Sequence, residues 1–158
     1  MKKVKGYMFS RSFMGERVPQ HIQNQIIRNY CTQNNFHYML SAVEYAMKNS
    51  FLILNQIIKA NKEMSGIGFY SIFQLPENDI LRMLLLKKII AKRIIILFCS
   101  EGFIVKNYED IIRVNTIWLI KKKLKYSLTN FDYFKKNKTK NWNMPKELSF
   151  LQKNHNNT

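Results

Sequence analysis

A group of charged and hydroxyl side chains follows the first apolar run of the chain, Val4 to Phe9. The group comprises Ser10, Arg11, Ser12, Glu16 and Arg17. Arginine binds phosphate or carboxylate through paired hydrogen bonds, and Pro19 marks the start of a helix whose free N–H groups also favour anions. The spacing therefore predicts an anion site in which Arg11 and Arg17 hold the charge and the other three side chains orient the ligand.

Polar side chains also accompany three later apolar runs. They are Glu44 and Tyr45 after the second run, Ser71 and Gln74 in the third, and Ser100 and Glu101 after the fourth. Because the carboxyl ends of parallel strands meet at one edge of a sheet, these side chains are expected to converge on a common site. Glu44 and Glu101 are the acid and base candidates, while Tyr45, Ser71 and Gln74 are candidate ligand contacts.

No sequence motif assigns a reaction or a cofactor. The chain contains no GxGxxG, P-loop, GxSxG or HExxH pattern. Cys31 and Cys99 lack metal-ligand spacing and are predicted to be buried free thiols, so no metal is assigned. Of the three histidines, only His21 falls near the proposed site. The sequence predicts binding at the strand ends and leaves open whether the ligand is also transformed.

The elements that position these residues alternate between strand and helix. Strands are predicted at Val4–Phe9, Phe36–Leu40, Ile67–Phe73 and Ile94–Cys99. Helical stripes are predicted for Ile22, Ile26, Ile27 and Tyr30; for Met47, Phe51, Leu54, Ile57 and Ile58; from Pro76 to Ala91; and from Asn107 to Lys121, with Ile111, Val114 and Trp118 on one face. This order indicates a small doubly wound α/β domain, flavodoxin- or resolvase-like, with a parallel sheet of about four strands and helices on both faces.

The predicted domain covers residues 1–121, and residues 122–158 form a basic extension expected to be partly ordered. From Lys121 onward there are ten Lys against Asp132 and Glu147, a net charge of +8. The whole chain carries +16, which favours a nucleic-acid partner. Twenty Lys against six Arg, however, is typical of an AT-rich genome, so nucleic acid is not the favoured partner.

Membrane insertion and secretion are both disfavoured by the sequence. Lys87, Lys88, Lys92 and Arg93 interrupt the most apolar region before it reaches the roughly 20 residues of a membrane span. Lys5 and Arg11 interrupt any signal-peptide core. A cytoplasmic location without a transmembrane segment is the expectation.

Several strings resemble the sporadic carbohydrate cluster protein family. They are Gly6 to His21, Glu44 to Met47, Tyr70 to Pro76 and Ser100 to Gly102. The resemblance covers roughly Val4 to Leu119. It implies a bacterial protein encoded among surface-polysaccharide biosynthesis genes, without naming a reaction. Together with the predicted anion site, it makes a small anionic, sugar-related ligand the expected partner.

A looser resemblance is to the catalytic domain of serine recombinases. Gly6-Tyr7 on a first strand, Gln25 and Cys31 in the next helix, and Glu101 after a fourth strand are similar to that layout. The family's Tyr-x-Arg-x-Ser pattern is not kept, because Tyr7 is followed by Met8, Phe9, Ser10 and Arg11. Its arginine-rich turn is replaced by Phe73, Gln74, Leu75 and Glu77. The resemblance implies the fold without DNA strand exchange.

Two further readings stay open beside the ligand-binding one. A recombinase-derived domain would use the basic extension as an electrostatic arm on DNA. A scaffold without activity would form a homodimer through the last helix, with Ile111, Val114 and Trp118 at the interface.

Overall fold

The computed structural model describes residues 1–60 and 63–136, with side chains described through residue 124. A five-stranded sheet has the order β2-β1-β3-β4-β5. Its strands are β1 (Lys3–Met8), β2 (His37–Val43), β3 (Gly66–Phe69), β4 (Ile95–Phe98) and β5 (Phe103–Val105). The helices are α1 (Gln20–Gln33), α2 (Leu52–Lys59), α3 (Asp79–Ala91) and α4 (Tyr108–Lys136).

The first four strands are parallel, which confirms the predicted α/β class. Tyr7 on β1 pairs with Ala42 on β2 and with Phe69 on β3, and Phe69 pairs with Phe98 on β4. The carboxyl ends of all four strands therefore lie along one edge of the sheet. Only β5 is antiparallel, paired to β4 through Leu97 and Ile104.

Helices cover both faces of the sheet, as predicted. Successive strand residues point to opposite faces, so Tyr7 and Phe69 join the core beneath α2, α3 and α4, whereas Val4 and Met8 pack with α1. Trp118 on α4 is fully buried in the larger core. Ile111 and Val114 are fully buried with it, so these three side chains stabilise the domain itself and are closed to a second chain.

The buried face of α1 differs from the predicted stripe. The buried side chains are Gln23, Ile27 and Cys31, while Ile26 and Tyr30 are only half-buried. The helix approaches β3 at Gly68, where a Cβ would lie 2.7 Å from Cγ2 of Ile27. This close approach sets which side of α1 faces the sheet.

Several predicted boundaries were displaced. Strand β2 runs to Val43 rather than Leu40, and β3 ends at Phe69, so that Ile72–Gln74 form a 3₁₀ turn. Strand β5 was not predicted, because three residues after a turn carry too short a pattern. Met47 was predicted to be on the buried stripe of the second helix, but it lies before α2 and is exposed.

Helix α4 continues past the predicted domain boundary between residues 121 and 122, up to Lys136. The chain divides after Trp118, so the last part of α4 belongs to the second unit. The predicted docking and disorder within 137–158 lie outside the described residues, and the domain division stays a prediction.

Candidate functional site

A pocket of about 440 Å³ lies at the edge of the sheet where the parallel strands end. Three loops form its walls. The β1–α1 loop contributes Phe9, Arg11, Ser12 and Phe13; the β2–α2 loop contributes Lys48, Asn49 and Phe51; the β3–α3 connection contributes Phe73 to Asn78, together with Leu81 of α3. Three of the predicted site residues, Arg11, Ser12 and Gln74, therefore line one pocket.

Arg11 is the most distinctive side chain of this pocket. Its guanidinium carbon lies 4.1 Å from the ring centroid of Phe9 and 4.9 Å from that of Phe51. Its Nη1 donates to the carbonyl oxygens of Tyr45 at 3.2 Å and Met47 at 3.4 Å. Its Nη2 is buried and has no hydrogen-bond partner among the described residues. The ion pairs seen in that part of the chain, Lys3 with Glu63 and Arg82 with Asp79, do not involve Arg11.

Glu44 lies at the end of β2 and is almost fully buried. Its Oε1 accepts hydrogen bonds from Ser50 Oγ at 2.9 Å and from the N–H groups of Tyr45 and Ile53. Its Oε2 accepts from Tyr7 Oη at 3.0 Å and from the Leu54 N–H. The carboxylate thus holds the first turn of α2 against β1.

The hydrogen bonds of Glu44 determine its protonation state. Desolvation by burial raises the pKa of Glu44, but the donors of Leu54, Ile53, Ser50 and Tyr45 together outweigh it and leave the pKa below its ordinary value. Burial, and next the charge of Glu44, raise the pKa of Tyr7, against the opposing charge of Arg11. Tyr7 therefore stays a hydrogen-bond donor to an ionised Glu44.

Glu101 is exposed and caps the 3₁₀ turn that follows β3. Its Oε1 accepts from Ser71 Oγ at 2.5 Å and from the Ile72 N–H at 3.2 Å. Ser71 Oγ in turn accepts from the Phe73 N–H. The ends of β3 and β4 are joined by these bonds, and the Glu101 carboxylate serves a capping role here.

Two buried glutamines connect the loops behind the pocket. Gln74 Oε1 accepts from the N–H groups of Tyr70 and Ser71, and Gln74 Nε2 donates to Gln23 Oε1 at 2.9 Å. Gln23 Nε2 donates to the carbonyl oxygens of Phe9 at 2.8 Å and Val18 at 2.7 Å. Gln23 thereby closes the β1–α1 loop that positions Arg11.

Of the remaining predicted ligand contacts, only Ser12 lines the pocket. Ser10 is half-buried, and Ser12, Glu16, Arg17 and Tyr45 are exposed. Glu16 pairs through its backbone with Phe13 across the Met14-Gly15 turn. Tyr45 contributes its backbone carbonyl to Arg11. The roles of these five side chains, and of Glu44 and Glu101 as acid and base, stay predictions.

Sequence reasoning missed Arg82, which is fully buried beneath the third wall. Its Nη1 donates to the carbonyl oxygens of Pro76 and Glu77, and its Nη2 pairs with Asp79 at 2.6 Å. Its Nε donates to Asn115 Oδ1, and its guanidinium lies over Trp118. Its spacing with Leu85, Leu86 and Ile89 places it on the buried stripe of α3, a signal present in the sequence.

Across the described part of the chain, His, Cys, Asp and Glu form no group of three or more that could hold a metal ion. Both cysteines are free and buried, as predicted, and burial raises the pKa of Cys31 to about 11. Within residues 1–60 and 63–136, no helix is both long and apolar enough to cross a bilayer.

The fold is similar to that of two solved recombinase structures. A resolvase family site-specific recombinase from Streptococcus pneumoniae is 11% identical, with a TM-score of 0.56, and the match covers 85% of this chain and 99% of that one. The N-terminal catalytic domain of TP901-1 integrase is 15% identical, with a TM-score of 0.54, and the match covers 78% and 98%. At these identities the likeness shows a resolvase-like fold.

No family model and no curated protein matches the sequence. The two structural matches confirm the resemblance to serine recombinases for the fold. The resemblance to the sporadic carbohydrate cluster family receives no support from these comparisons. In the register of the recombinase pattern, Phe9 stands at the arginine position and Arg11 at the serine position.

Proposed function

We propose that this chain is an anion-binding domain of resolvase-like fold, whose pocket binds a phosphate or carboxylate group of a small ligand at Arg11. The observation that carries the proposal is the buried, unpartnered Nη2 of Arg11 in a pocket at the strand ends. A buried donor without an acceptor is costly, and an anionic oxygen would satisfy it with a charge-assisted hydrogen bond.

The surroundings of Arg11 prepare it for this role. Phe9 and Phe51 stack on its guanidinium group, and the carbonyls of Tyr45 and Met47 fix its orientation through Nη1. A cation held in this way loses little conformational freedom when a ligand binds. Lys48 lines the same pocket and adds positive charge, and Glu77 of the third wall carries one negative charge, so the charged lining residues sum to +1.

Binding, rather than a reaction, is what the lining residues support. The serine position of the recombinase pattern is occupied by Arg11, so the pocket lacks that nucleophile. Glu44 is ionised and receives five hydrogen bonds, and Glu101 caps a turn. We therefore assign both carboxylates to positioning the loops that carry Arg11 and Phe73.

The finer identity of the ligand follows only from sequence resemblance. The likeness to the sporadic carbohydrate cluster family implies a sugar-related anion, such as a sugar phosphate, used in bacterial surface-polysaccharide biosynthesis in the cytoplasm. In that reading, Ser12 and Gln74 of the pocket would orient the sugar, with Ser10, Glu16, Arg17, Tyr45 and Ser71 around it.

The test compares Arg11 with an arginine outside the predicted site by thermal unfolding in inorganic phosphate. Ligand binding to the native state raises its stability by about 1.4 kcal/mol at ten times the Kd. Phosphate should raise the melting temperature of the wild type, and this increment should vanish in Arg11→Gln. Arg113→Gln removes the same charge from an exposed position outside the pocket lining, and it should keep the increment. An undiminished increment in Arg11→Gln would overturn the proposal.

A second candidate, a DNA-binding domain without recombinase activity, is favoured by a specific observation. The fold is that of recombinase domains, and the chain carries a net charge of +16. In this candidate the basic residues beyond α3 neutralise phosphates of the DNA backbone. Homodimerisation would have to use surfaces other than Ile111, Val114 and Trp118, which the core occupies.

A further inference from the structure

We propose that the pocket selects phosphate monoesters whose esterified group is flat and apolar, over polyhydroxylated phosphate esters of the same charge. This inference rests on the anion site at Arg11, but it replaces the sugar phosphate suggested by sequence resemblance with a different class of molecule that carries the anion. It follows from the division of the pocket into a cationic part and an apolar part.

The positive charge of the pocket comes from two of its three walls. Arg11 lies on the β1–α1 loop and Lys48 on the β2–α2 loop, and the contacts of Arg11 with Met47 and Phe51 hold these loops together. Ser12 and Asn49 add neutral polar groups on the same two walls. The phosphate of a ligand is therefore placed between these two loops.

The third wall offers a mainly apolar surface. It presents Phe73, Leu75, Pro76 and Leu81 to the pocket. Leu81 is 58% exposed, although it lies on the first turn of α3 beside the cavity. A group attached to a phosphate at Arg11 would rest on this surface.

Several polar atoms of the third wall are engaged within the protein, although Glu77, which carries a carboxylate, also lines it. Gln74 Oε1 already accepts two backbone hydrogen bonds, and Gln74 Nε2 donates to Gln23. The carbonyls of Pro76 and Glu77 accept from Arg82 at 3.0 and 3.2 Å. Asn78 Oδ1 accepts from the Leu81 N–H as the cap of α3. Few partners are left there for the hydroxyl groups of a sugar.

This distribution of polar groups discriminates between ligand bodies. A hydroxyl group that leaves water without finding a partner costs binding free energy, whereas a planar ring gains it by covering apolar and aromatic surface. The cavity of about 440 Å³ is within the range of roughly 300–1,000 Å³ for small-ligand pockets, so a phosphate and one ring fit together.

The experiment measures, by isothermal titration calorimetry on the full chain, three probes that share one anionic group. Inorganic phosphate reports the anion site alone, glycerol 3-phosphate adds a hydroxylated body, and phenyl phosphate adds a flat apolar one. Phenyl phosphate is expected to bind at least about tenfold more tightly than glycerol 3-phosphate, as one buried ring warrants.

A matched pair of variants locates the apolar contact. Leu81→Asn replaces a pocket residue, and Leu84→Asn replaces a residue of the same helix that is 59% exposed and absent from the lining. Leu81→Asn should reduce the preference for phenyl phosphate about threefold or more, with inorganic phosphate unchanged. Leu84→Asn should leave all three affinities as in the wild type.

The outcomes distinguish a failure of this inference from a failure of the proposed anion site at Arg11. Absence of binding by all three probes would overturn the anion site and the inference with it. Equal affinities, or tighter binding of glycerol 3-phosphate, would leave the anion site standing and overturn the apolar selectivity. Equal effects of the two leucine variants would likewise contradict the assigned contact.

Discussion

Glu44 is a residue type suited to acid–base chemistry, but here its hydrogen bonds hold the start of α2 against β1. Its carboxylate is nearly inaccessible to solvent and receives donors from three successive parts of the chain: Tyr7, Ser50 and the start of α2. Burial alone would favour the protonated form, but the hydrogen bonds keep the pKa of Glu44 low. The stabilisation it provides therefore depends on the negative charge.

Glu44→Gln should lower the free energy of unfolding at pH 7 by about 2–3 kcal/mol, because an amide NH₂ group would then face backbone donors. The folded pKa of Glu44 lies below the ordinary value of 4.5. Its contribution is thus complete above about pH 4.5 and is lost as the pH falls through the lower folded pKa. Urea unfolding between pH 7 and 3 measures both effects.

Tyr7→Phe provides the control, since it removes one of five donors and leaves the charge. It should cost about 1 kcal/mol and keep the acid-side loss of stability. If Glu44→Gln retained the full acid-side slope of the wild type, the loss would belong to other carboxylates.

At the scale of elements, the packing of α1 on β3 determines how the β1–α1 loop enters the site. Gly68 allows Ile27 to lie against the strand, and one turn earlier on the helix Gln23 reaches the carbonyl of Phe9. The helix therefore positions the loop of Arg11 through the polar contact of Gln23, and it packs on the sheet through the apolar contact of Ile27.

Gly68→Ala should destabilise the domain by about 1–3 kcal/mol, because the added methyl group overlaps Cγ2 of the fully buried Ile27. Chemical denaturation gives the value. In an Ile27→Ala background the obstructing atom is gone, so the same glycine substitution should cost much less. Additive costs in the double variant would show that the two positions do not interact.

At the scale of the whole molecule, the excess of positive charge is compatible with both an anionic small ligand and a nucleic acid. We propose the former because of the pocket, and the latter is the second candidate because of the net charge of +16. Salt dependence separates the two, because a DNA complex releases counterions for each neutralised phosphate.

If the chain binds DNA through its basic extension, replacing four lysines there by Gln should flatten the dependence of affinity on salt. The lysines are Lys138, Lys140, Lys146 and Lys153. The slope of log affinity against log salt should decrease in magnitude by up to about 3.6 for four lost phosphate contacts in duplex DNA. Fluorescence anisotropy with duplex DNA measures it, and Arg11→Gln is the matched control. An unchanged slope would exclude the extension as the DNA contact.

The alternation of apolar runs with helical stripes was enough to predict the α/β class, the parallel strands and the edge where polar residues meet. The hydrophobic period of each segment and the order of the segments can be read along the chain. The rule that crossovers between parallel strands are right-handed then predicts how the strands and helices are arranged. The sequence also singled out Arg11 and Arg17, because arginine after a strand end is chemically specific, but it did not distinguish Arg11 in the pocket lining from Arg17 outside it.

Only the tertiary structure decided which of those polar groups remain available. Glu44 and Glu101 accept hydrogen bonds from backbone groups distant in the chain, and Ser71 and Gln74 donate to side chains distant in the chain. Arg11 alone retains a buried donor without a partner in the described residues. Such engagement depends on side-chain directions and close approaches between elements. These are set by packing in three dimensions, which no local pattern encodes.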